Sequence, residues 1–151
     1  MRLGGAGLGN IMFTYARAVV FTKKNNLQMI WPTWFSFKIG TVLRNEFDKR
    51  FYNDLFINNS KYVGGFNKCL LLTTKQKVSE SEKDNFRDFD EKVIEFTGFY
   101  TLFSDIINDS KIVYDDLVNN LNHKNKKALD FDFASSVSFH IRLGDFNYHL
   151  V

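Results

Sequence analysis

The chain has 151 residues, 44% of them hydrophobic and 25% charged, a balance that suits one globular domain and excludes a disordered or fibrous chain. The formal net charge of +3 and the pI of about 8.9 are mildly basic. With no basic run interleaved with stacking aromatics, they argue against a nucleic-acid partner and suit a phosphate-bearing small molecule or the edge of an anionic membrane.

No run of about 18 apolar residues occurs, so no membrane span is expected, and the N-terminus carries no apolar signal region. Aromatic residues make up 17%, including 17 Phe. Such a chain can build a core and still expose apolar surface for a partner to cover. The single cysteine, Cys69, precedes Leu70, Leu71 and Leu72. It excludes an internal disulfide, implies a reducing compartment and is expected to be a buried structural thiol.

In chain order, residues 1–9 are glycine-rich, with Met1–Leu3 a short strand remnant. Phe13, Ala16 and Val20 then recur at helical spacing, with Asn10 as the expected N-cap and an end near Asn25-Asn26. Leu27–Trp31 reads as a buried strand stopped by Pro32. This order of strand, glycine turn, helix and strand opens an α/β domain.

Residues 33–60 are irregular, and Gly64-Gly65 marks a turn. Residues 75–92 are dense in charge and predict an exposed segment or a polar helix. Val93–Phe96 is a strand candidate, and the apolar spacing from Phe103 to Leu121 predicts helices over about 104–122. Lys124, Lys126 and Lys127 sit among asparagines in an expected solvated loop. Ser136–Ile141 alternates as a last strand.

Two stretches carry candidate chemistry. In Gly4-Gly5-Ala6-Gly7-Leu8-Gly9-Asn10, closely spaced glycines let backbone N–H groups approach an anion at a helix N-terminus. A dinucleotide fingerprint needs glycine where Asn10 stands, and a P-loop needs Lys there. Neither motif is met, and a plain strand-to-helix turn explains the glycines equally well. In His140-Ile141-Arg142-Leu143-Gly144-Asp145, alternation puts His140 and Arg142 on one face. Arg142 could fork onto a phosphate and stabilise a leaving nucleoside diphosphate. The competing reading is a surface Arg142–Asp145 pair.

Together the stretches resemble one family. Gly5 to Ala16 resembles the "GGLGNQMFQYA" signature that opens the alpha-1,2-fucosyltransferases, glycosyltransferase family 11, with Ile11 and Thr14 where the family has Gln. His140 to Phe146 resembles that family's "HIRRGDY" motif, with Leu143 in place of the second arginine. Gly98-Phe99-Tyr100 is similar to a third, "GYFQS"-like stretch. The two main motifs stand in the family's order.

The resemblance implies metal-independent, inverting transfer of fucose from GDP-fucose to a galactose-type hydroxyl. It implies an α/β fold, the Rossmann-like N-terminal half of a GT-B-type glycosyltransferase, truncated near the start of the second domain. Residues 1–135 would form the N-terminal domain, and residues 136–151 the first strand and motif of the donor-binding domain.

By the same resemblance, Arg142 is the catalytic arginine on the donor diphosphate, His140 and Asp145 belong to its motif, and Gly7, Gly9 and Asn10 form a turn lining the cleft. No cofactor or metal is implied. The partners would be GDP-fucose and a glycan acceptor, with a second chain supplying the missing domain as one form of the reading. The expected location is cytoplasmic, at most peripheral at the inner membrane face. The fragment is expected to be inactive alone, and a small phosphate- or sugar-nucleotide-binding module is the alternative. His123 and His149 are expected to be incidental. Asp105, Asp109, Asp115, Asp116, Asp130 and Asp132 occupy exposed-looking positions, and none stands out as a base.

Overall fold

A computed structural model describes residues 8–34, 43, 52–58, 61–81, 91–98 and 104–130. The expected strands Met1–Leu3 and Ser136–Ile141, the domain boundary at 135/136 and the Gly98-Phe99-Tyr100 stretch beyond Gly98 lie outside them.

Helix α1 spans Leu8–Lys24 and buries a continuous run from Thr14 to Val20, together with Ile11. It begins two residues before the expected N-cap, so Asn10 lies inside its first turn. Its last turn carries Lys23 and Lys24, where positive charge suits the C-terminal end of the helix dipole. The helix ends as the paired asparagines predict. Asn26 takes the left-handed conformation with φ of 50°, and the Leu27 amide donates back to the Thr22 carbonyl at 2.8 Å, closing a Schellman-type cap.

The chain then runs through Leu27–Trp31, where a parallel bridge joins Ile30 to Val63. Helix α2, Gly65–Thr74, follows at once. The glycine pair therefore opens a helix, with Gly65 at φ of 56°. Strand β1, Gln76–Ser79, and strand β2, Lys92–Glu95, pair in parallel, with Val78 opposite Ile94. The β1 pairing replaces the polar-helix alternative for this stretch with a strand, and Gln76, Lys77 and Ser79 are exposed as the other alternative expects. Within it Val78 and Glu80 are buried, Val78 on β1 beside β2 and Glu80 through its ion pair to Arg17 of α1.

A 3-10 turn at Ser104–Asp109 leads into helix α3, Ser110–Asn120, where helices were expected. The lysine-rich stretch is a short helix, α4, His123–Lys127, capped by the Asn122 side chain accepting from the Asn125 amide.

The core lies between α1, the Leu27–Trp34 segment and α3. Tyr15, Val19, Trp34, Phe56 and Tyr62 are among its buried members. Trp34 stacks on Phe56 at 4.2 Å between ring centroids and meets Tyr15 at 5.1 Å. These tilted and offset contacts are the arrangements that aromatic quadrupoles favour. Cys69 is exposed on α2. The expectation of a buried thiol is corrected, because α2 buries none of its residues and the leucine run after Cys69 does not draw it inward.

Candidate functional site

Of the residues singled out in the sequence, Gly9 and Asn10 are described, and both are solvent-exposed in the first turn of α1. A Cβ built on Gly9 meets nothing within 4 Å, so no described neighbour requires glycine there. Gly7, His140, Arg142 and Asp145 lie outside the described residues. His123 is exposed on α4. Asp116 departs from expectation: it is buried at 3% exposure.

Asp116 is the centre of a polar cluster that ties three parts of the chain together. The Tyr15 hydroxyl donates to Asp116 Oδ2 at 2.5 Å, and the Tyr62 hydroxyl donates to Oδ1. Asn120, one turn further along α3, donates through Nδ2 to Asp116 Oδ2 at 3.0 Å and to the Asp116 carbonyl at 2.9 Å. Three donors satisfy the carboxylate as an anion, which is how a buried charge becomes tolerable. Burial, and then the hydrogen bond and charge of Asp116, push both the Tyr15 and the Tyr62 phenol above the ordinary value of 10.0. The phenols therefore stay protonated and keep donating. Among the described residues, Trp34 Nε1 and Asn120 Oδ1 are buried without a partner.

A second buried cluster starts two residues further along α1. Arg17 Nε donates to Glu80 Oε1 at 2.7 Å, and its terminal nitrogen donates to Glu80 Oε2 at 3.0 Å. The same nitrogen reaches the carbonyls of Thr97 and Gly98 at 3.1 and 3.2 Å. Thr14 Oγ1 also donates to the Gly98 carbonyl, at 3.4 Å. The guanidinium thus anchors β1 and the end of β2 to α1, in the forked geometry that suits arginine.

In each cluster the charged group, Asp116 or Arg17, has its partners within the fold. Asp116 is buried and already accepts from three donors, and Arg17 is bonded to Glu80 and two carbonyls. Their chemistry is that of staples which fix α1 against α3 and the sheet. Among the described residues, no group of three or more His, Cys, Asp or Glu could hold a metal ion. Lys68 is half-buried and bonds the Trp31 carbonyl at 2.8 Å and Thr33 Oγ1 at 2.7 Å, and burial lowers its pKa.

Sequence reasoning passed over Arg17, Glu80, Tyr15, Tyr62 and Asn120. One signal was present. Arg17 sits within Ala16-Arg17-Ala18-Val19-Val20, and a charge inside an apolar helical run requires a buried partner. Asp116 and Asn120, at i and i+4 around Leu117, are a weaker signal of the same kind. The partners Glu80 and Tyr62 come from distant segments, and nothing local marks them.

Comparison of the chain with protein-family models, with curated proteins and with solved structures finds no match.

Proposed function

We propose that the chain is the N-terminal portion of a GDP-fucose-dependent, inverting fucosyltransferase of the alpha-1,2 type, acting on a galactose-type hydroxyl. The observation that carries this reading is the conjunction, in order, of the Gly5–Ala16 and His140–Phe146 motifs. Arg142 would hold the donor diphosphate and stabilise the charge that develops as GDP leaves, with His140 and Asp145 beside it. Gly7, Gly9 and Asn10 would line the cleft at the N-terminus of α1, where backbone N–H groups favour an anion.

Support from α1 is indirect: Gly9 and Asn10 are exposed at that end, and a side chain at Gly9 would meet no neighbour within 4 Å. Because both motifs lie within residues 1–151, this chain is expected to bind the GDP-fucose diphosphate through Arg142. The setting proposed is cytoplasmic, at the inner membrane face, with no metal required.

Calorimetry with GDP-fucose and GDP tests the reading. Binding of the 151-residue chain that is lost in Arg142→Ala supports it. A folded chain that binds neither nucleotide, or an Arg142→Ala variant that binds as well as the parent, refutes it.

A further inference from the structure

A cavity of about 270 Å³ opens between α1, α2 and β2, and no member of the two buried polar clusters lines it. Its walls are apolar: Phe21 of α1, Met29 and Ile30 after that helix, Leu71 of α2, and Ile94 and Phe96 of the β2 segment. The Phe21 and Phe96 rings meet at 5.6 Å in a tilted contact, which holds two of these walls together. Thr22 also lines the cavity, but its hydroxyl is spent within α1, donating to the Ala18 and Val19 carbonyls at 2.9 and 3.0 Å. Close-packed interiors leave few voids larger than one water molecule. A cavity of this volume therefore has room for a small ligand, at the lower end of the size range of ligand pockets.

The charged lining is of one sign. Lys75 and Lys92 line the cavity, and among the described residues no Asp or Glu does. The strand register brings the two lysines together. Lys75 follows α2 as its C-cap and precedes Gln76, and Gln76 pairs with Lys92. The two backbones thus run on neighbouring strands, about 4.8 Å apart and offset by one residue. Both lysines are half-buried. A lysine in that setting lays its aliphatic stem on apolar surface and keeps its ammonium at the water-facing end.

We propose that this cavity binds a small apolar carboxylate, a short- to medium-chain fatty acid, with the chain against Phe21, Ile30 and Ile94 and the carboxylate on Lys75 and Lys92. Charge complementarity selects the head group, because two ammonium groups attract an anion and repel a cation. The walls select the body. A sugar or nucleotide needs donors and acceptors along its length, which apolar walls do not supply, and a long-chain lipid outgrows the volume. None of the residues assigned to sugar transfer lines this cavity, and the inference stands independently of that reading.

Titration of the 15N-labelled 151-residue chain with sodium octanoate, followed through the amide shifts, tests it. Saturable shifts at Ile30, Lys92 and Ile94 are expected. Affinity should rise about 4-fold per added methylene from butanoate to octanoate and level off once the chain fills the cavity. Octanol, with the same chain and no charge, should bind at least ~10-fold more weakly than octanoate. Lys75→Gln/Lys92→Gln should lose at least ~10-fold in octanoate affinity, while its octanol affinity and its α1 amide shifts stay those of the parent. The absence of saturable shifts with octanoate overturns the assignment. So does octanol binding as tightly as octanoate, or full octanoate affinity in the lysine variant. Shifts centred on the exposed Phe66 and Leu70 of α2 overturn it too, since the acid would then adsorb on the surface and not enter the cavity.

Discussion

Arg17 and Glu80 lie 63 residues apart in the chain and meet as a buried two-pronged ion pair, at 2.7 Å on one arm and 3.0 Å on the other. The pair fixes the middle of α1 to the end of β1, and through the Thr97 and Gly98 carbonyls it also holds the end of β2. Removing one partner leaves an unpaired charge in the interior, which is costly, whereas replacing both with apolar groups of similar volume is nearly neutral.

Arg17→Met and Glu80→Leu should therefore each destabilise the protein by about 3–5 kcal/mol. The double variant Arg17→Met/Glu80→Leu should recover a large part of that loss. Urea unfolding of the four proteins measures it, and additive losses in the double variant would show that the two side chains do not interact.

The Asp116 cluster predicts an order of severity. Tyr15→Phe removes one donor and leaves Asp116 with two others, at about 1–2 kcal/mol. Asp116→Ala leaves two buried phenols and an amide without their acceptor and should cost more than either single Tyr→Phe change. The same denaturation series checks the ranking. Equal losses for Asp116→Ala and Tyr15→Phe would contradict it.

Alkaline pH should loosen the fold through the same cluster. Burial and Asp116 raise both phenols above the ordinary value of 10.0, so the folded chain retains two protons that the unfolded chain releases. Stability from this source is fully present below pH 10.0 and declines as pH rises past it. Thermal unfolding followed from about pH 8 to about pH 11 should show that decline. The decline should be shallower in Tyr15→Phe, which removes one of the two groups.

Gly65 opens α2 at φ of 56°, a left-handed conformation that costs an L-residue about 1–2 kcal/mol. Gly65→Ala should lose that amount although open space surrounds the position. At the neighbouring Gly64 the obstacle is steric instead. A Cβ there would lie 2.7 Å from Asn58 Nδ2, which donates to the Tyr62 carbonyl at 3.0 Å. Comparing the unfolding free energies of the two alanine variants separates backbone strain from the displaced Asn58 bond.

The amino-acid sequence by itself determined the elements whose signals are local. The apolar spacing in α1, the Asn25-Asn26 cap, the apolar run that becomes β2 and the spacing that produces α3 each act within a few turns or strand residues, and each is observed where expected. The two motifs behind the proposed function are legible in the same way, as short strings.

Only the tertiary structure decided which polar residues go inside. Asp116 and Glu80 read as surface carboxylates, and Cys69 reads as a core thiol. Asp116 and Glu80 are buried because their donors arrive from segments far along the chain, while Cys69 is exposed on α2, none of whose residues is buried. The burial of a charge depends on whether a distant partner satisfies it, and no local pattern records that partner's position.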